Sequence, residues 1–273
     1  MKIAFNNHLE SLYAIDYCIN RGQNIIRQTD ASEEAQFFDD LYRVYLEKVT
    51  DSTRYDVAQL GDYHRKAEYA LNPQNALPDL TALEAFLNEH QQLQDRIILD
   101  IQNSPEVTRL HLDGLRDFLG IDSAIDITLI PSMFINGGFG VFNGSSNIIV
   151  GVKYNSSLGR YAIAENITTE IYHELTSPYV RMMLYEDGIH VPAGNPGASN
   201  GEYLVEMITR VLTIIFSSRL YGDEYVEKVL AEQDKTSLAQ ARIFISVYLE
   251  NKSRIFNLRD YIELLLQSGL IAK

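Results

Sequence analysis

Apolar residues recur at helical spacing along nearly all of this chain and give way to strand character in only a few short stretches. Residues 125–130, Ile-Asp-Ile-Thr-Leu-Ile, alternate with a period of two and run into Pro131-Ser132-Met133-Phe134. Strand character resumes at 147–152, after the turn Asn143-Gly144-Ser145-Ser146, and that turn predicts an antiparallel hairpin. A third short strand is expected at residues 2–5. The pattern predicts an α+β protein, predominantly α-helical, with a small antiparallel sheet beside the helix that follows it.

The helical part opens with residues 8–20, whose Leu9, Leu12, Ile15 and Cys18 fall on one face. Two amphipathic helices are expected between residues 32 and 71, a long one over 80–101, and another from Pro105 to about Gly120. Residues 1–120 thus read as a helical half of architectural character. Residues 121–273 hold the hairpin, a helix over 161–177, an apolar helix over 202–221 and three closing helices, with N-caps at Ser237 and Asn257. At 273 residues and 31.0 kDa the chain suits a single domain spanning 1–273.

Charge narrows the partners. Asp and Glu number 37 against 23 Lys and Arg, a net charge of -14 spread along the chain. Such a surface repels phosphate backbones and anionic headgroups, so neither nucleic acid nor membrane is an expected partner. A metal ion or a cationic peptide suits it better. The single cysteine, Cys18, cannot form an internal disulfide and reads as a core thiol. With no stretch resembling a signal peptide or a membrane span, the expected location is cytoplasmic.

The residues that could carry chemistry lie in Glu170-Ile171-Tyr172-His173-Glu174-Leu175-Thr176-Ser177, which holds the only His-Glu pair in the chain. In metallopeptidase helices a second histidine four residues after the first shares its metal, and the intervening glutamate polarises bound water. Here Ser177 occupies that position. Glu170-x-x-His173 also has the spacing used in di-iron bundles, but such a site needs a second copy, which is lacking.

These residues resemble bacterial zincin-like, gluzincin-type metallopeptidase domains with a helical motif His-Glu-x-x-His-x-Phe-Val, matched by His173-Glu174-Leu175-Thr176-Ser177-Pro178-Tyr179-Val180. The opening strand and helix, the stretch from Pro131-Ser132 to Gly140, and Glu202-Tyr203-Leu204-Val205 at the head of an apolar helix are also similar. The resemblance implies a zinc cofactor with His173 and Glu202 as ligands, Glu174 as general base, and a peptide or protein as substrate. Ser177 is a poor ligand and weakens the set, leaving Glu170, His190 and Glu206 as substitutes. Pro178 is expected to end the helix just after the motif.

The plainer reading makes His173 and Glu174 an ancestral pair held by hydrogen bonds to neighbours such as Glu202, in a pseudopeptidase that binds peptides or proteins without cleaving them. The Gly137-Gly138-Phe139-Gly140 run lacks the following helix and lysine of phosphate loops. It reads as a strand kink, or as a substrate-edge strand that an extended peptide could approach. Residues 195–201 are expected to form a loop or flap over the site.

Overall fold

The computed structural model describes residues 1–23, 33–72, 74–76, 78–108, 110, 112–122, 124–135, 137–142, 147–154, 160–190, 201–233 and 240–273. The chain divides into two compact units. One comprises Met1–Ser104 and Ile125–Asn166, the other Pro105–Ala124 and Ile167–Lys273. Each draws on two stretches of sequence.

The first unit contains strand β1 (Lys2–Ile3) and helices α1 (Asn7–Gln23), α2 (Glu33–Lys48), α3 (Asp51–Gln59), α4 (Tyr63–Leu71), α5 (Thr81–Glu89) and α6 (Gln91–Gln102). Strands β2 (Asp126–Ser132), β3 (Gly138–Phe142) and β4 (Asn147–Lys153) complete it. The strand order is β1-β2-β4-β3. β3 and β4 form the expected antiparallel hairpin, but β4 lies between β3 and β2 and runs parallel to β2, as β1 does on the other flank. The sheet is therefore mixed rather than antiparallel. The long helical excursion between β1 and β2 provides the crossover that a parallel pair needs. Ile127, Leu129, Ile148, Val150 and Val152 are buried, as the apolar runs of parallel strands require.

Local chemistry explains where the helices break. Where two helices are expected between residues 32 and 71, three are found, α2, α3 and α4, and Gly61 takes φ +85 between α3 and α4. Thr50 and Asp62 cap the starts of α3 and α4 by accepting from the amides of Thr53 and Arg65. The helix expected over 80–101 breaks at His90, whose ring bonds the Phe86 carbonyl at 2.8 Å. Cys18 is buried on α1 beside Ile15.

The second unit holds α7 (Pro105–Thr108), α8 (Leu112–Leu119), the greater part of α9 (Arg160–Glu186), α10 (Gly201–Tyr221), α11 (Asp223–Gln233), α12 (Ala241–Asn251) and α13 (Leu258–Gln267). The helix expected from Pro105 to Gly120 is thus two. Contrary to expectation, Pro178 does not end α9, which continues to Glu186. An internal proline costs a helix about 3 kcal/mol. Burying Val180 and Leu184 beyond it returns roughly 1.5–3 kcal/mol each, enough to offset the lost bond. Asn257 caps α13 in a reciprocal box with Asp260, while Ser237 lies outside the described residues. Among the described residues no helix is long and apolar enough to cross a membrane.

Candidate metal centre

The second unit brings the motif helix α9 and the apolar helix α10 side by side. α10 buries Leu204, Val205, Ile208, Val211 and Leu212, and α9 buries Ile171, Tyr172, Leu175 and Val180. Their side-chain contacts run in opposite directions along the two chains. Tyr185 and Arg181 meet Glu202, His173 meets Glu206, Tyr172 packs on Phe216, and Tyr221 reaches Thr168. The helices are therefore antiparallel neighbours, and the polar edge of this seam carries the motif.

His173 stands at its centre with a side chain only 13% exposed. Its Nδ1 donates to Glu174 Oε1 at 3.2 Å and its Nε2 to Glu206 Oε2 at 3.1 Å. The other oxygen of Glu206 accepts from Arg210 Nε at 2.7 Å, an i,i+4 pair along α10. Glu170, His173 and Glu174 place one ligand atom each within 4.8 Å of one another. Two donors sharing a divalent ion at bonds of 2.0–2.2 Å lie at most about 4.4 Å apart, so small side-chain rotations would bring this set onto one ion. An imidazole with carboxylates also suits divalent zinc or manganese in donor type.

The electrostatics follow from burial set against pairing. Burial alone would discharge His173, but its bonds to Glu174 and Glu206 hold its pKa up at about 9. Burial would raise Glu206 as well, yet His173 and Arg210 hold it down at about 2. Glu170, whose main influence is loss of water, is raised. At neutral pH the protein alone thus holds a protonated imidazole between two carboxylates.

The carboxylate that α10 presents to His173 is Glu206, one turn later than the expected Glu202. Glu202 is half exposed and accepts from Arg181 at 2.6 Å and Tyr185 at 3.0 Å. Ser177 is half-buried one turn beyond His173, on the same helix. His190 is exposed, its backbone bridged to Ala272 and its ring 3.5 Å from the Gly188 carbonyl. Gly138, Phe139 and Gly140 open β3 at the sheet edge in the first unit, with Gly137 just before it. Phe139 is buried there against Gly151 of β4, where a Cβ would sit 1.9 Å from its ring. Of the flap expected over 195–201, residues 195–200 lie outside the described residues, and Gly201 opens α10.

Arg210, Arg181 and Tyr185 were not among the expected site residues. The Glu206 to Arg210 spacing was a readable sign for the first. Nothing in the sequence marks the other two. No family model, curated protein or solved structure matches this chain.

Proposed function

We propose that the chain is a zincin-like metallopeptidase whose metal set is His173, Glu206 and Glu170, with Glu174 as the base, acting on peptides. The observation that carries this reading is the 3.1 Å approach of His173 to Glu206 from a helix 33 residues away in sequence, beside the clustered donors of Glu170 and Glu174. A carboxylate from the second helix thereby substitutes for the imidazole that Ser177 cannot supply. The lone buried thiol Cys18 suits a reducing, cytoplasmic setting.

The chemistry that a divalent ion supplies when bound is Lewis acidity and a water acidified towards neutrality. The chain's own residues do the rest. Glu206, fixed by Arg210, faces His173 Nε2 with its other oxygen, where the two side chains would hold the ion in place of the shared proton. Glu174, with one oxygen on the His173 ring, offers its second oxygen to take a proton from water.

A pseudopeptidase is the second reading, favoured by Ser177 and by Arg210, whose cation already satisfies the Glu206 carboxylate. The deciding experiment incubates the purified full chain with quenched fluorescent peptides, with and without zinc or manganese. Metal-dependent cleavage abolished by Glu174→Gln supports the enzyme. Peptide binding without cleavage, equal in both proteins, rejects it for the binding module.

A further inference from the structure

The first unit holds a cavity of its own where α5 gives way to α6. α2 packs beside that turn, with the Phe37 and Phe86 rings 5.3 Å apart. The cavity has a volume of about 270 Å³, room for the head group of a side chain rather than a larger ligand. Gln36, Phe37 and Asp40 line it from α2, Glu89 from the end of α5, His90 from the turn and Gln92 from α6.

His90 is fixed in orientation. Its Nδ1 lies 2.8 Å from the Phe86 carbonyl, which can only accept, so Nδ1 carries the hydrogen and the neutral ring keeps a lone pair on Nε2. The ring meets Phe86 at 4.3 Å and Phe37 edge-on at 5.1 Å. Both phenylalanines are buried, so the imidazole cannot turn without disturbing the core. Nε2 has no hydrogen-bond partner among the described residues and is not enclosed by them, which leaves it for the cavity.

The two acids of the lining differ in what already meets them. Asp40 accepts from Gln36 Nε2 at 2.8 Å and pairs with Arg43 at 3.1 Å. Glu89 is exposed and has no partner among the described residues. An imidazole lone pair and an unmatched carboxylate therefore stand on consecutive residues, and both accept. An anion would meet Glu89 with no cation to offset it. A divalent ion would find too few ligands, since among the described residues no third acid, histidine or cysteine converges with these two.

We propose that this cavity takes the guanidinium of an arginine side chain on a peptide or protein partner. The planar group carries donors on several edges, so it answers the lone pair of His90 and the carboxylate of Glu89 at once. The net charge of -14 favours the approach of such a cation.

The test is an NMR titration of the full chain with N-acetyl-arginine amide and with its citrulline and lysine counterparts, the His90 ring signals being assigned by their loss in His90→Phe. Saturable binding of the arginine compound that moves those signals is expected. Citrulline, which keeps the shape and loses the charge, should bind at least tenfold more weakly, the scale of a hydrogen bond to a charged group. Lysine, with a compact charge, should bind at least threefold more weakly. Glu89→Gln should weaken the arginine compound about threefold, as an exposed ion pair allows. His90→Phe keeps an aromatic ring against Phe86 and should weaken it at least as much. If that variant fails to fold, the three compounds and Glu89→Gln still decide, because Glu89 is exposed at a helix end. Absence of saturable binding, lysine or citrulline binding as tightly as arginine, or binding that leaves the His90 signals unmoved would overturn the proposal.

Discussion

Glu10 in the first unit and Glu206 in the second are both carboxyls on helices with apolar faces, yet one titrates near 8 and the other near 2. Glu10 is removed from water with only Ser132 and the Met133 amide to answer it, and burial dominates, so the acid stays protonated at neutral pH. Glu206 also loses water, but an imidazolium and a guanidinium more than compensate, and it stays charged. A sequence records an acid in both places. What differs is the company that the fold provides, and this decides whether the group behaves as a neutral core polar residue or as part of an ionic centre.

The largest expected effect tests the neutral side of that contrast. A folded-state pKa raised from 4.5 to about 8 leaves stability intact below pH 4.5 and removes it as pH rises towards 8. At about 1.4 kcal/mol per pKa unit, the loss is on the order of 5 kcal/mol. Glu10→Gln carries no such proton, so its urea-unfolding stability should match the parent near pH 4 and exceed it above pH 8. Parallel curves for the two proteins would show that Glu10 is already ionised at neutral pH.

His173→Gln probes the ionic side and should cost about 2 kcal/mol, the scale of hydrogen bonds to charged groups. His173 is raised from 6.5 to about 9, so its contribution is full below pH 6.5 and vanishes as pH passes 9. Glu206, lowered from 4.5 to about 2, contributes above pH 4.5 and loses its effect as pH falls towards 2. The gap between variant and parent in thermal unfolding should be widest between pH 4.5 and 6.5 and close above pH 9. A constant gap would mean that His173 matters for packing alone.

The smallest effect supplies a reference. Asn257→Ala removes the cap of α13, a bond between neutral groups, and should cost about 1 kcal/mol with little dependence on pH near neutrality. A pH dependence as steep as that of either charged position would show that the titrations above belong to the whole molecule.

The fold was legible where periodicity is strong and local. α9 as far as Pro178, the apolar α10 and the turn of the β3–β4 hairpin leave sequence signals, whereas the continuation of α9 from Pro178 to Glu186 does not. Strand order was not, because whether β4 lies beside β2 or beyond β3 depends on contacts far apart in sequence. The break at His90 was equally hidden, since Leu83, Phe86, Leu87 and Leu93 keep helical spacing across it. At the candidate centre, the sequence does not show which carboxylate of α10 faces His173, because Glu202 and Glu206 share a helix face, and only the pairing of Glu202 with Arg181 and Tyr185 separates it from Glu206 beside the imidazole. Glu10 and Lys66 gave no sign of burial, since a charged residue amid apolar helix positions usually reaches solvent.

The most direct test of the metal centre is calorimetric titration of zinc into the full chain, repeated with Glu206→Gln and Glu202→Gln. One ion per chain is expected, bound at least tenfold more weakly after Glu206→Gln and unchanged after Glu202→Gln. No stoichiometric binding to the parent, or a loss that follows Glu202 and spares Glu206, would contradict the assignment of His173 and Glu206 as partners in one site.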